Sequence, residues 1–361
     1  MPKLFDPLTL RGVTIRNRIW TSPMCQYSVL DESGIPQQWH LVHLGSLAAG
    51  GSGLVLAEAT AVSPEGRISP RDTGIWNDEQ RDAWMPIASF IASQGAVPGI
   101  QLGHAGRKAC TWPAWGYEDR IGSVPVDEGG WPTVAPSAIP FGDDDVPREL
   151  DLAGIDKIVD DFTSAARRSV EAGFRVIELH AAHGYLLHQF LSPIANERTD
   201  DYGGSLENRA RLLMRIVAAV REVIGDDIAL FVRFSGSDWA PGGWDEQQTA
   251  TVAGWAEEAG ADFFDISSGG IQAGIRIPLQ PGYQVPFASH VRSSAEVGVS
   301  AVGLITTPQQ AADIVERGEA DAVMLARELL RDPHFPLRAA HELGVEVDYW
   351  PSQYLRARWR R

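Results

Sequence analysis

The stretch Phe174–His180, FRVIELH, is a short apolar run that follows a longer amphipathic segment, Leu152–Ala172. This alternation is typical of one unit in a protein built from β-α repeats with a parallel sheet. The run is rich in Val, Ile and Leu, as expected of a strand that is covered on both faces. It therefore predicts a strand of a parallel sheet with a helix packed beside it.

Similar runs recur along the whole chain, so that eight strands are predicted. They are Arg18–Met24, Gly53–Thr60, Val97–Leu102, Phe174–His180, Ile228–Phe234, Asp262–Ser267, Ala301–Ile305 and Asp321–Leu325. The segments with helical spacing between them are Leu41–Ala49, Asp78–Gln94, Leu152–Ala172, Ser205–Ile224, Asp245–Ala259 and Pro308–Glu316. Eight strands that alternate with helices predict an α/β fold, the (β/α)8 TIM barrel, rather than an open sheet.

The chain shows no linker, tandem repeat or low-complexity segment, so we predict a single domain over residues 1–361. One connection, residues 109–149 after the third strand, is unusually long and contains Trp112, Trp115 and Trp131. Long connections in compact domains are usually functional, and tryptophans argue against disorder. We interpret residues 109–149 as a capping insertion over the barrel mouth, with a purely structural flap as the alternative.

Composition limits the kind of partner that the protein binds. The formal net charge is −16, whereas nucleic acids and anionic membranes are bound mainly through clustered Lys and Arg. A small molecule is the expected partner. The two cysteines are too few for a disulfide framework, a four-cysteine zinc site or a cysteine-ligated iron–sulfur cluster, which fits a reducing cytoplasm. Neither a secretory signal nor an apolar run long enough to span a bilayer is found, so a soluble, unprocessed protein is expected.

Polar residues follow most of the predicted strands, at the places where a (β/α)8 barrel builds its active site. Strand seven runs into Gly303 and strand eight leads into Arg327, and barrels commonly hold a phosphate at the loops after these two strands. Glycine permits close backbone approach, and arginine is a bidentate donor. The alternative is a tight turn and a surface charge.

Three roles are open for His180 and His183, which a turn at the end of strand four can point into the mouth together. A metal pair needs further ligands, and although Glu178 is the nearest carboxylate, no familiar metal-binding spacing is present. No metal site is therefore predicted. A structural pair of hydrogen-bonded histidines is the second possibility. The favoured role is a pair of N–H donors that stabilise a developing enolate oxygen.

Other side chains near the strand ends are ambiguous when each is taken alone. Tyr185 is suited to place a phenolic proton on a bound substrate, or to pack in the cap. Cys25 is as easily a small buried hydrophobe as a cofactor contact. Arg233, at the end of strand five, is suited to meet an anion or to pair with a carboxylate. Their combination carries more information than any one of them.

Taken together, these residues resemble the old yellow enzyme family, especially its bacterial ene-reductase branch. The resemblance rests on Ser22-Pro23-Met24-Cys25 with the following Tyr27, on residues 101–108 (QLGHAGRK), and on residues 192–209 (SPIANERTDDYGGSLENR). It extends from Leu4-Phe5 to Gln353-Tyr354. It implies an FMN-binding barrel that takes hydride from NADPH or NADH and reduces electron-poor carbon–carbon double bonds.

The resemblance also implies a role for each site residue. Those expected at the flavin ring are Ser22, Pro23, Met24, Cys25, Ala59, Gln101 and Arg233, and those expected at its phosphate are Ala326 and Arg327, beside Gly303. Tyr27, His180 and His183 are implied to bind substrate, with Tyr185 as the proton donor. The C-terminal tail, residues 350–361, is implied to place Arg356, or Arg358 as the next candidate, in a neighbouring subunit's site. A homodimer or homotetramer is therefore expected.

Two other functions remain open at this point. The same barrel is compatible with another electron acceptor, such as a nitrate ester, a nitroaromatic or oxygen. A non-catalytic flavin-binding or ligand-binding barrel is the alternative from a different class. The larger flavin barrels that carry an iron–sulfur cluster and a second nucleotide domain are disfavoured, because this chain has neither the cysteines nor the length.

Overall fold

The computed structural model describes residues 3–359 and contains a closed barrel of eight parallel strands. We number them one to eight along the chain: Ile19–Thr21, Leu54–Ala61, Val97–Gly103, Val176–Ala181, Ala229–Ser235, Phe263–Ser267, Gly298–Ala301 and Ala322–Leu325. Each strand pairs with the next, and strand eight pairs with strand one. The predicted (β/α)8 barrel is confirmed.

The α-helices of the described range are Gln38–Ala49, Asp78–Ser93, Leu152–Glu171, Leu186–Leu191, Leu206–Ile224, Glu246–Glu258, Val285–Arg292, Pro308–Glu316, Arg327–Arg331 and Phe335–Glu342. The six predicted helices all occur among them. Several begin at a side chain that accepts a hydrogen bond from the backbone N–H three residues on, namely Asn77, Asp151, Ser205, Asp245 and Thr307. The four helices that were not predicted have eight residues or fewer, too few for a clear period. None of the helices in residues 3–359 is long and apolar enough to cross a membrane.

Six predicted strands agree with the observed ones to within two residues at each end, and two are wrong in their limits by three residues or more. The prediction Ala301–Ile305 shares only Ala301 with strand seven, because φ is +121° at Gly303 and +51° at Leu304 and an extended strand excludes such values. Strand one ends at Thr21 rather than Met24. Both differences move candidate site residues out of strands and into the loops at the barrel mouth.

Aromatic residues fill the half of the barrel interior where the strands begin. The ring of Phe263 lies 5.0 Å from that of Trp20 and 4.7 Å from that of Phe231, measured between centroids. An antiparallel hairpin, Leu8–Leu10 with Val13–Ile15, packs on this cluster at the ends where the strands begin. Its three-residue strands were too short to predict. The hairpin closes this end, so only the opposite end, where the strands finish, is available for a site.

Residues 109–149 contain little regular structure, with a 3-10 helix at Val126–Glu128 and the short paired strands Val134–Ala135 and Arg148–Glu149. Trp131 fastens this segment, because its backbone N–H donates to Cys110 Sγ at 3.0 Å and its indole N–H donates to the Glu65 carbonyl at 2.9 Å. Trp115 lies edge-on to Tyr27, with 5.1 Å between ring centroids. The segment therefore contacts the loop after strand one.

Candidate active site

A layer of polar side chains from strands three to seven lies inside the barrel. Gln101 Nε2 donates to Glu178 Oε1 at 2.8 Å, Arg233 Nε lies 2.8 Å from Asp265 Oδ2, and Ser300 Oγ donates to Asp265 Oδ1 at 2.9 Å. Burial, and after it the charge of Asp265, raise the pKa of Glu178 to about 8. Glu178 is therefore protonated at neutral pH, and the Arg233–Asp265 pair leaves the layer close to neutral.

The guanidinium of Arg233 is not satisfied by the protein. The side chain is 6% exposed, and within residues 3–359 its one ion pair uses Nε without good hydrogen-bond alignment. Burying an arginine whose donors lack acceptors costs free energy unless an anion or carbonyl meets them. Strand five pairs Arg233 with His180 of strand four, which places it at the level of the mouth. An electron-rich cofactor edge fits this position.

The three residues predicted at a phosphate line one cavity. Gly303, Ala326 and Arg327 surround a space of about 150 Å³ between the loops after strands seven and eight. Only glycine suits position 303, since φ is +121° and a Cβ there would lie 2.9 Å from Gln284 Nε2. Tyr283 also lines the cavity, as does Gln284. Neither of these two residues was predicted, because they lie far beyond the end of strand six. A phosphate group fits the glycine, the arginine and the space between them.

His180 and His183 meet at the mouth. His180 Nε2 lies 3.3 Å from His183 Nδ1, and His183 Nε2 lies 2.7 Å from Ser267 Oγ. The backbone of His183 has φ of +58°, and its N–H donates to Ser235 Oγ at 3.0 Å. This left-handed turn brings the second ring back against the first. Ser267 ends strand six and was not predicted, although its place at a strand end is a signal that could have found it.

Both histidines are neutral. Burial lowers the pKa of each ring well below its usual value, and the positive charge of Arg233 lowers it further. The Ala182 N–H donates to His180 Nδ1, so we assign the His180 proton to Nε2 and the His183 proton to Nε2 as well. A neutral imidazole donates one hydrogen bond. At 3.3 Å the contact between the rings is long, and a better acceptor such as a substrate carbonyl competes for the His180 proton.

Tyr185 lies beside the histidine pair. Its ring is edge-on to His180, with 4.9 Å between centroids, and both residues line a space of about 10 Å³ that Ala59 and Asp72 also line. Burial raises the pKa of the phenol well above its usual value, and Cys25 and Asp72 raise it further. The phenol therefore keeps its proton across the neutral range and can deliver it only to a strong acceptor.

Residues 22–27 form the loop after strand one. Ser22 is buried, Cys25 is half-buried, and burial raises the pKa of the Cys25 thiol well above its usual value, with Asp72 and Glu58 adding to the shift. The thiol is therefore neutral and is not an activated nucleophile. Tyr27 has φ of +46°, and burial raises the pKa of its phenol as well. Both side chains present uncharged groups to the mouth.

The C-terminal tail packs on its own chain. Trp359 stacks on His341, with 5.0 Å between centroids and 11° between planes, and it also contacts Trp350. Arg358 lines a space of about 490 Å³ beside these rings. Arg356 forms no hydrogen bond or ion pair with the described part of the chain, and the structure does not bring it to its own site. The last two residues of the predicted tail, Arg360 and Arg361, lie outside the described residues.

The protein belongs to the class of flavin-binding (β/α)8 oxidoreductases. The chain belongs to the NADH:flavin oxidoreductase / NADH oxidase family, whose sequence profile matches residues 3–346. The cofactor of this family is FMN. The protein is an NAD(P)H-dependent flavin oxidoreductase.

Individual relatives agree with this assignment. An NADPH dehydrogenase of Geobacillus sp. (strain WCH70) is 47% identical over 358 residues, which are 99% of this chain and 98% of the relative. The old yellow enzyme homologue from Zymomonas mobilis superposes with a TM-score of 0.79 at 28% identity and covers 99% of this chain and 98% of its own. A 2-naphthoyl-CoA reductase superposes with a TM-score of 0.85 at 25% identity, but this chain spans 52% of that protein. The resemblance to the old yellow enzyme family is confirmed.

Proposed function

We propose that the protein is an ene-reductase, which reduces the activated carbon–carbon double bonds of enones and related electron-poor alkenes with hydride that originates from NADPH or NADH. The observation that carries the proposal is the grouping of His180, His183 and Tyr185 at the end of strand four and in the loop after it, two neutral imidazoles beside a protonated phenol. The two imidazoles are suited to polarise a substrate carbonyl, and the phenol is suited to supply a proton.

The residues around the mouth suit FMN. The phosphate is proposed to lie in the cavity of Gly303, Ala326 and Arg327, and the unsatisfied Arg233 guanidinium is proposed to meet the electron-rich edge of the ring. The other residues proposed at the ring are Ser22, Pro23, Met24, Cys25, Ala59 and Gln101. The chemistry that bound FMN supplies is the transfer of hydride from a nicotinamide to an electron-poor carbon.

The chain's own residues then act on the substrate. His180 and His183 bind the carbonyl oxygen, with Tyr27 beside them, and stabilise the negative charge that develops there when the β-carbon receives hydride. Tyr185 donates its phenolic proton to the α-carbon and regains a proton from water. Residues 109–149, proposed as the cap, restrict water at the mouth through contacts such as Trp115 with Tyr27.

The proposal is tested by steady-state rates with NADPH and a panel of acceptors under anaerobic conditions. We expect a cyclic enone to be reduced at its double bond with uptake of one hydride and one proton, at a kcat/KM at least about tenfold above that for a nitrate ester or a nitroaromatic. Product analysis by gas chromatography distinguishes the saturated ketone from other products. No saturated product, with rapid reduction of the other acceptors, would contradict the proposal.

We also propose that Arg356 completes the site of a neighbouring subunit in a homodimer or homotetramer. Trp359 holds the end of the tail on its own subunit, while Tyr354 and Leu355 are 43% and 52% exposed on the 3-10 helix Ser352–Ala357. Exposed apolar residues beside an unpaired arginine suit contact with a second copy. Because Arg358 lies against its own subunit, the arrangement favours Arg356.

Truncation before Leu355 tests this proposal. We expect a folded barrel that retains FMN but has a KM for a cyclic enone raised about tenfold, because the substrate pocket loses one charged contact. Light scattering measures the oligomer, and Arg356→Ala in the full chain separates loss of the side chain from loss of the tail. A monomeric full-length protein whose kinetics do not change on truncation would show that the tail has no part in the site.

A further inference from the structure

Lysine is rare in this chain, and one of its three lysines lies at the site. Of the 31 Lys and Arg residues, the only lysines are Lys3, Lys108 and Lys157. Lys108 ends the 3-10 helix Gly106–Lys108, which follows strand three. Its Nζ donates to the carbonyl of His183 at 2.8 Å and to that of Gly270 at 2.9 Å. One ammonium group thus joins the loops after strands three, four and six.

The loops that it joins approach unusually closely. A Cβ on Gly184 would lie 2.1 Å from the Gly270 carbonyl oxygen, and a Cβ on Gly270 would lie 2.5 Å from the carbonyl carbon of His183. Both glycines have positive φ, +74° and +94°. Only glycine permits this contact. The approach brings two carbonyl oxygens towards one point, where they repel each other unless a cation lies between them.

The same ammonium group lies over the ring of the proposed proton donor. Lys108 Nζ is 5.1 Å from the Tyr185 ring centroid and 4.4 Å from that of Phe141. A cation at this distance interacts favourably with an aromatic face, and it interacts more strongly with a phenolate because that ring carries a full negative charge. The Lys108 cation therefore stabilises a phenolate at Tyr185 more than it stabilises the neutral phenol, although the resting phenol stays protonated.

We propose that Lys108 is a positioning residue that clamps the loops after strands four and six and stabilises the phenolate left when Tyr185 gives up its proton. The inference rests on the proposed function. In the step concerned, hydride that originates from the nicotinamide adds to the β-carbon, the C=C π bond breaks, and its electron pair becomes that of an enolate. The α-carbon of the enolate then forms a C–H bond with the phenolic proton as the O–H bond of Tyr185 breaks. The phenolate then takes a proton from water, so the charge on the tyrosine is transient.

The pKa of the Lys108 ammonium group allows the proposal to be tested by the pH dependence of the enone step. Burial, together with the neighbouring charge of Arg107 and against the opposing charge of Asp144, lowers the pKa of Lys108 to about 8. The other titratable groups that face it, His180, His183 and Tyr185, are uncharged at neutral pH. Lys108 is therefore cationic at pH 7 and loses its charge as the pH rises through about 8. A step that needs the cation slows over the same range.

Stopped-flow measurement of the two half-reactions tests the proposal with Lys108→Met and Lys108→Gln. We expect both variants to retain FMN, to be reduced by NADPH within about threefold of the wild-type rate, and to reduce a cyclic enone about 30-fold more slowly, the scale of a desolvated cation–ring interaction. The wild-type enone step should fall as the pH rises through about 8, and both variants should lack that fall. Gln keeps donors for the carbonyls without the charge, so it tests the charge even if Met disturbs the loops. Lys157→Met, on an outer helix, is the matched control and should behave as wild type.

A double-mutant cycle separates this role from a general structural one. If Lys108 acts through Tyr185, Lys108→Met should slow the enone step by less than about threefold in a Tyr185→Phe background. Hydrogen exchange supplies a readout besides activity: peptides that cover residues 182–186 and 268–272 should exchange faster in Lys108→Met, with the strands unchanged.

Multiplicative effects of the two substitutions, or an unaltered pH profile, would overturn the inference. If Tyr185→Phe alone leaves the enone step unchanged, the proton-donor role of Tyr185 fails and this inference fails with it, whereas the absence of saturated product from the wild type would overturn the proposed function itself. If only the Lys108 variants are without effect, the proposed function stands.

Discussion

Tyr185→Phe should slow the half-reaction that consumes the alkene by about 10²–10⁴-fold and leave reduction of the flavin by NADPH nearly unchanged. Phenylalanine keeps the ring that packs edge-on to His180 but removes the phenolic proton, and a positioned general acid contributes a factor of this size. Only the second half-reaction delivers a proton to carbon. Stopped-flow traces of flavin absorbance, recorded separately for the two half-reactions, give the two rates.

The matched control is Tyr202→Phe, which removes a phenol that is hydrogen-bonded to Arg215 on the outer layer. It should leave both half-reactions as in the wild type. If Tyr185→Phe slows flavin reduction as much as the enone step, Tyr185 contributes to packing or to nicotinamide binding instead. An alkene whose product can be protonated by solvent should be less sensitive to the substitution.

His180→Ala and His183→Ala should each lower kcat/KM on a cyclic enone by about 10²–10³-fold while FMN stays bound. Removing one donor to a developing oxyanion has an effect of this scale. The two rings contact each other, and His183 also contacts Ser267. Each substitution therefore removes one donor and also removes a contact that holds the other histidine ring in place. We therefore expect the double variant to lose less than the product of the two single effects. Steady-state kinetics with released flavin quantified in parallel give both quantities.

His290→Ala is a suitable control because His290 lies on the outer helix Val285–Arg292, away from the mouth. Its kinetics should match those of the wild type. Asn in place of either site histidine should restore part of the rate, since its amide also donates a hydrogen bond. Full activity in both alanine variants would exclude a polarising role for the pair and leave it a structural one.

The barrel was predictable because the signals that specify it are local. Apolar runs with intervening amphipathic segments mark strands and helices within a few residues, as in Val176–Ala181 and Leu206–Ile224. Capping residues such as Ser205 mark where helices begin. The end of strand seven could not be placed in this way, because Val302-Gly303-Leu304-Ile305 continues the apolar pattern while the backbone has already turned.

The eight-stranded barrel, the family and the residue types gathered at the strand ends could all be read from the sequence alone. The tertiary structure decided how those residues meet: His183 against Ser267, Gln284 beside Gly303, and Trp359 on its own subunit. Lys108 shows the reason most clearly, because the Gly270 carbonyl that it binds is 162 residues away. Periodicity and capping act over a few residues and can be read from the chain, whereas contacts between loops exist only once the barrel closes and brings the strand ends together.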